Sequence, residues 1–206
     1  MQIIFGGTFD PIHLGHISIV DFLTDCFPNA SIRLIPNNIP PHREVRADAY
    51  HRMQMLKLAI ENKKNVSVDC CEVKRSGISY TVETLENYRS NWPEDSLIFV
   101  VGADVPRKIP EWHRAEEILR FANLCVVSRP GANNLIENIN WSGNESTIED
   151  LKFTPFGRSH YLNAPLVDIS STDIRRNLIK REKNIPVPLS VLRYIYKNKL
   201  YEQDRA

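Results

Sequence analysis

No stretch of the 206-residue chain is apolar for long enough to span a bilayer. Its start is not that of a secretory leader either: residues 1–5 read as a strand, with no basic head and no long apolar run, and Gly6-Gly7 ends the run at once. Cysteine is scarce. Cys26, Cys70, Cys71 and Cys125 form no CxxC pair, and adjacent Cys70 and Cys71 rarely bridge to each other, so the thiols read as packed groups in a reducing cytoplasm. The same spacing argues against a zinc site. An excess of one charge is missing too. Lys and Arg number 26 against 25 Asp and Glu, a net charge of +1, so neither a nucleic acid nor a membrane partner is implied, and any phosphate binding has to be local. There are no internal repeats and no low-complexity tract. What is present is a hydrophobic fraction of 42%, enough for a sizeable core.

Short β-rich apolar runs alternate with helical patterns. Strands are expected at residues 2–5, 31–35, 66–70, 97–101, 124–127 and 166–169, and helices at 16–27, 47–60, 81–89, 115–121, 172–181 and 189–198. Ile17, Val20, Leu23 and Phe27 share one face of their helix, as do Met53, Leu56 and Ile60, and Val82 with Leu85. The continuous apolar run 97–101 marks a strand covered on both faces. This alternation predicts an α/β fold, a Rossmann-like doubly wound parallel sheet in a single domain of residues 1–206, with 170–206 as a C-terminal helical part. Residues 131–160, rich in Asn, Ser and Gly, read as a surface insertion. In such sheets ligands sit beyond the carboxyl ends of the strands. The polar stretches 6–16, 37–43, 102–104 and 170–175 all follow strand candidates and so converge on one edge.

The run GGTFDPIHLGH at 6–16 carries the most chemistry. Gly6 and Gly7 let backbone approach a phosphate chain closely. His13 and His16, three apart, share a face if a helix begins near His13, and such a helix start presents N–H groups to anions. Gly15 between them leaves room for a flat base or a ribose. The second run is ISSTDIR at 169–175. Ser170 and Asp173 have capping-box spacing, and the hydroxyls of Ser170, Ser171 and Thr172 with Arg175 one turn in make an anion site. Alone, this second run reads better as a plain helix cap with a solvated arginine; beside the first it does not.

The first run matches the His-x-Gly-His signature of the nucleotidyltransferase superfamily, in a form that resembles the bacterial nicotinate-nucleotide adenylyltransferases. The second is similar to the ISSTxIR motif of the same superfamily. The resemblance extends from Met1 to about Ile195, takes in the run 125–131, and leaves only residues 132–160 without a match. It implies that Gly6, Gly7, Thr8, Phe9, His13, Gly15 and His16 hold the phosphates and adenosine of ATP, that Ser170, Ser171, Thr172 and Arg175 hold its outer phosphates, and that His13, His16 and Arg175 carry the catalytic charge stabilisation. Gly102 and Asp104 resemble the family's Gly-x-Asp, suited to ribose hydroxyls or a hydrated Mg²⁺. Asn37, His42 and Arg43 lie in a loop that usually ends Pro-Pro-His-Lys; Arg43 puts a planar fork where a point charge is usual. Ser79, Tyr80 and Thr81, with Trp112, resemble the stretches that cradle the pyridine ring and carboxylate of nicotinate mononucleotide, with Val82 in the first turn of the helix that begins there. His113 stands where the family often has Tyr.

The resemblance implies transfer of an adenylyl group from ATP to nicotinate mononucleotide, a step in making NAD, with Mg²⁺ arriving on the triphosphate and no metal site of the protein's own. The acceptor's phosphate monoester has a second pKa of about 6 and is already ionised at neutral pH, so no general base is required. The partners are then small molecules, with a homo-oligomer left open. Competing readings are a related adenylyl- or cytidylyltransferase acting on another phosphorylated acceptor such as phosphopantetheine, a class I aminoacyl-tRNA synthetase, for which the chain is too short, and a nucleotide sensor without turnover.

Overall fold

The computed structural model describes residues 1–39, 44–75, 77–103, 105–128, 144–164 and 169–202. Among them seven strands form one sheet: β1 (Gln2–Gly7), β2 (Ser31–Pro36), β3 (Val66–Val68), β4 (Leu97–Gly102), β5 (Asn123–Ser128), β6 (Asn144–Glu145) and β7 (Arg158–Asn163). The order across the sheet is β3-β2-β1-β4-β5-β7-β6 and every pairing is parallel. The helices are α1 (Leu14–Cys26), α2 (Ala49–Ile60), α3 (Cys71–Lys74), α4 (Thr81–Asn91), α5 (Ile118–Phe121), α6 (Ile148–Phe153), α7 (Ser171–Ile179) and α8 (Leu189–Lys197). Short 3-10 turns occupy Pro106–Glu111 and Ala115–Glu117, so the helix expected at 115–121 begins as a tighter turn. No helix among the described residues is long and apolar enough to cross a membrane.

The period-two alternation of the central strands splits the core into two layers. Ile3 and Phe5 of β1, Ile98 and Val100 of β4, and Cys125 and Val127 of β5 face one side, where they meet Val20 and Leu23 of α1, Met55 and Leu56 of α2, Ile174 of α7 and Val191 and Ile195 of α8. The alternate residues Ile4, Leu97, Phe99, Val101, Leu124 and Val126 face the other side, against Leu85 and Tyr88 of α4, Ile109 of the 3-10 turn Pro106–Glu111 and Ile118 of α5. Each such aliphatic side chain, fully buried, contributes on the order of 2 kcal/mol. Helices on both faces of a parallel sheet make the doubly wound α/β fold that the alternation of elements implied.

Three expectations change. First, α2 turns Met55 rather than Met53 inward, together with Leu56, Ile60 and a fully buried Arg52. The charged residue is tolerated because three backbone carbonyls accept its donors, as set out below. Second, residues 144–160 are not a surface insertion. They supply β6, α6 and the start of β7, with Leu151 fully buried against the first core layer. The polar residues that suggested a loop are spent on local hydrogen bonds: Thr147 caps α6 in a reciprocal box with Asp150, and the Ser146 hydroxyl donates to the Ser159 carbonyl. Residues 129–143 lie outside the described residues. Third, the strand beside β5 is Arg158–Asn163, whose sequence has no apolar run, while Ile169 lies in no strand and 165–168 fall outside the described residues. Next to the rim of the sheet, backbone pairing holds the strand with few apolar side chains.

Strand order reverses between β1 and β4: the chain steps outward through β2 and β3 on one side and through β5 on the other. That switch point opens a crevice beyond the carboxyl ends of the two strands. β1 ends there in Gly6 and Gly7, and β4 in Gly102.

Candidate active site

The turn from β1 into α1 is held open by its own packing. Phe9 adopts φ +50°, and its buried ring folds back so closely that a Cβ on Gly7 would lie 3.0 Å from it, so a side chain there would force the ring to give way. A Cβ on Gly6 would meet only the Phe99 ring at 3.8 Å, so no intramolecular contact demands glycine there.

Asp10, buried at 3% exposure, ties distant segments to this turn. Its carboxylate accepts the backbone N–H groups of Arg46 (2.7 Å) and Ala47 (3.1 Å) and the hydroxyl of Tyr201 (2.6 Å). Burial and the Asp10 charge push the Tyr201 phenol far above its ordinary pKa, which keeps it a donor. The Asp10 carbonyl accepts from Arg175 Nη1 at 2.7 Å, and the Pro11 carbonyl accepts from the Ser171 hydroxyl at 3.1 Å. Two runs some 160 residues apart in sequence are thereby joined directly. Arg52 fastens the other side, donating to the carbonyls of Thr8 (2.9 Å), Asn38 (3.0 Å) and Ala47 (3.0 Å). Burial lowers its pKa, opposed by the nearby Asp10 charge.

His13 is the N-cap of α1. The backbone N–H of His16 donates to His13 Nδ1, and that of His13 donates to His16 Nδ1, each at 3.3 Å, a capping box built from two imidazoles. The rings stack with centroids 3.6 Å apart, and the edge of Phe9 approaches His16 at 5.0 Å. An Nδ1 that accepts from a backbone N–H carries no proton, so each neutral ring has its proton at Nε2. Burial lowers the His13 pKa to about 4. At neutral pH His13 therefore supplies a neutral N–H donor at a helix N-terminus, where the macrodipole favours anions, rather than a full positive charge. Across the join, Ser170 caps α7 by accepting from the Asp173 N–H at 3.1 Å, and Arg175 Nη2 reaches Thr172 Oγ1 at 3.3 Å.

The second group of residues lies past β2 and around the start of α4. The Asn37 N–H donates to the Gly7 carbonyl at 3.1 Å, linking it to the first turn. Tyr80 is the N-cap residue of α4, which no side chain caps. Thr81 and Val82 follow in its first turn; the Val82 side chain is fully buried, leaving only its backbone to face a ligand. The Tyr80 and His113 rings face each other with centroids 4.4 Å apart and planes at 35°, and Trp112 packs near Phe99 at 6.3 Å. His42, Arg43 and Asp104 lie outside the described residues. Two surface hollows, about 450 Å³ beside Asn177 and Glu182 and about 350 Å³ between Leu58 and Pro188, are lined by none of these side chains.

Four residues of this site are absent from the sequence-based expectation: Asp10, Arg52, Glu72 and Tyr201. Asp10 stood inside the first run, and Arg52 sits three and four residues before buried Met55 and Leu56, an anomaly on an apolar face. Glu72 and Tyr201 carry no local signal.

The cytidylyltransferase-like family model matches residues 4–177. Over 96% of its length the chain is 38% identical to a Pectobacterium atrosepticum protein named probable nicotinate-nucleotide adenylyltransferase, covering 97% of that protein. A protein of the same name from Escherichia coli is 37% identical, with 98% of each chain covered. Among solved structures, Plasmodium falciparum nicotinic acid mononucleotide adenylyltransferase complexed with NaAD superposes with a TM-score of 0.74 at 20% identity, over 100% of this chain and 98% of the other. That likeness is one of fold.

Proposed function

This chain belongs to the cytidylyltransferase-like family and, within it, to the nicotinate-nucleotide adenylyltransferases; from that membership we propose that it transfers the adenylyl group of ATP to nicotinate mononucleotide, forming nicotinate adenine dinucleotide and pyrophosphate. The observation that carries the reading is the direct join between two anion-suited helix starts, α1 with His13 and His16 and α7 with Ser171, Thr172 and Arg175, at the switch point of a parallel sheet. In this reading the chain 1–206 acts as one domain, and its free thiols suit a reducing cytoplasm.

The nucleophile is an already ionised phosphate, so the chemistry is positioning and charge stabilisation. The backbone at Gly6, Gly7, Thr8 and Phe9 follows the triphosphate, Gly15 leaves space for the adenosine, and the role assigned to Gly102 and Asp104 is to bind its ribose. The Nε2–H groups of His13 and His16 donate to the α-phosphate as it becomes five-coordinate. Arg175, with Ser170, Ser171 and Thr172 about it, takes the charge of the leaving pyrophosphate. Asn37, His42, Arg43, Tyr80, Thr81, Val82, Trp112 and His113 hold the mononucleotide. The described side chains facing the phosphates are donors, and among the described residues no group of three or more His, Cys, Asp or Glu is placed to hold a metal. They fit Mg²⁺ as part of the Mg-ATP substrate, carried on phosphate oxygens and water.

The uncapped start of α4 gives the choice of acceptor. Its backbone N–H groups only donate and sit at the positive end of the helix, which suits a carboxylate and leaves an amide NH₂ facing donors. Incubation with Mg-ATP and a panel of phosphorylated acceptors, with products identified by mass, tests the reading. Nicotinate mononucleotide should be preferred over the nicotinamide form by roughly a hundredfold in kcat/KM. Equal values, or turnover of a different acceptor alone, would reject it.

A further inference from the structure

Glu72 of α3 is buried at 5% exposure on the acceptor side of the site. Its Oε1 accepts from the Thr84 hydroxyl at 2.7 Å and its Oε2 from Asn37 Nδ2 at 3.0 Å, and the Ser79 hydroxyl also hydrogen-bonds to it. Each partner belongs to a different segment: Asn37 leads out of β2, Ser79 precedes α4, and Thr84 closes the first turn of α4. The two hydroxyls accept on their other sides, Ser79 Oγ from the Asn38 N–H at 2.9 Å and Thr84 Oγ1 from Arg75 Nη2 at 3.2 Å. Arg75 itself pairs with Glu83, also in the first turn, at 2.7 Å. The hydrogen bonds therefore run in one direction, inward to the carboxylate. Burial pushes the Glu72 pKa up, while the three donors oppose that shift.

We propose that Glu72 is a positioning residue for the acceptor substrate. It turns the Asn37 amide so that nitrogen faces the carboxylate and the carbonyl oxygen is the end left for a hydroxyl, and it sets the spacing between the loop after β2 and the first turn of α4. The proposal rests on the assignment of Asn37, Tyr80, Thr81 and Val82 to the mononucleotide. Replacing Glu72 with Gln keeps the shape but turns an NH₂ toward a shell of donors, so at least one of the three hydrogen bonds is lost and the two segments lose their common anchor.

The test is KM for each substrate separately, with kcat and melting temperature, in Glu72→Gln and in the milder Thr84→Val, which deletes one hydroxyl. Ser96→Ala, which removes a buried hydrogen bond to the Leu151 carbonyl at the opposite end of the sheet, controls for loss of stability alone. Glu72→Gln should raise KM for nicotinate mononucleotide roughly tenfold and Thr84→Val about threefold, with KM for ATP within about twofold of wild type. Ser96→Ala should move neither KM. Parallel rises in both KM values, or no change in either, would overturn the proposal. If wild type turns over a different acceptor, the substrate assignment falls and the same split is read on that acceptor; turnover of no acceptor overturns both.

Discussion

The two ends of the sheet use the same chemistry to different effect. At the amino ends of the strands, Asp95 accepts from the Met1 amino group and from Gln2, both at 3.0 Å. Arg89 donates to the carbonyls of Phe121, Trp92, Pro93, Asp95 and Pro155 at 2.6–3.0 Å. Asn123 bonds the Thr154 carbonyl and the Arg158 N–H at the same end. At the carboxyl ends Arg52 does what Arg89 does, clasping three carbonyls, and Asp10 gathers donors as Asp95 does. The difference lies in what is added. Among the described residues the carboxyl end also carries the imidazole pair at the start of α1, an arginine held at the start of α7, and the start of α4, which no side chain caps. Polar networks at the amino end tie chain segments to one another; at the carboxyl end the same kind of network also fixes two helix starts suited to anions.

That contrast can be broken most directly at the two arginines. Arg52→Met strands three carbonyls next to Asp10 in a buried setting, at a cost of roughly 4 kcal/mol. Because two of those carbonyls belong to Thr8 and Asn38, KM for ATP should rise as well. Arg89→Met, half-buried, should cost about 2–3 kcal/mol and leave both KM values alone. Urea unfolding with steady-state kinetics on both variants checks the pair; equal kinetic damage would erase the distinction between the two ends.

His16→Ala should lower kcat by roughly a hundredfold, about 3 kcal/mol of transition-state stabilisation, with the melting temperature changed only by the lost cap. Near-normal turnover in the folded variant would move His16 into a purely structural role.

His13 sharpens the comparison through pH. Its pKa falls from 6.5 in the unfolded chain to about 4 in the fold, so between those values the unfolded state binds more protons. Its stability contribution is whole above pH 6.5 and is lost as pH falls toward 4, on the order of 3 kcal/mol. His13→Asn keeps an N-cap and removes the titration. The wild type should therefore lose more stability than the variant between pH 6.5 and 4, and parallel unfolding curves would contradict the burial argument.

The smallest effect is expected at Tyr201. Tyr201→Phe removes one hydroxyl from Asp10 and should cost about 1–2 kcal/mol. A rise in KM for ATP of about twofold in kinetic measurements would show that the C-terminal segment helps to hold the phosphate turn; no change would leave that contact to the fold alone.

Much of this was legible in the chain. The apolar runs of β1, β2, β4 and β5 and the periodic faces of α1 and α4 follow from the two periods that distinguish strand from helix. Both runs proposed to bind phosphate announced themselves by glycine, histidine and capping residues at fixed spacing. The strand at Arg158–Asn163 did not, because a strand near the rim is held by backbone pairing that any sequence can make. Nor did the helix at Ile148–Phe153, whose Ser146 and Thr147 neighbours look like loop residues until the Thr147 hydroxyl and the Asp150 carboxylate are seen capping it.

By itself the sequence determined the alternation of strands and helices from β1 to β5, the parallel sheet and the chemistry on offer at its carboxyl edge, since each depends on residues close together along the chain. Only the tertiary structure decided that Asp10 joins Tyr201, that its carbonyl receives Arg175, that Arg52 clasps Thr8 and Asn38, and that Glu72 joins Asn37 to Thr84. A hydrogen bond needs its two partners within about 3 Å of each other and aligned. Where they lie up to 191 residues apart, that proximity is created by packing the layers and is written in no local pattern.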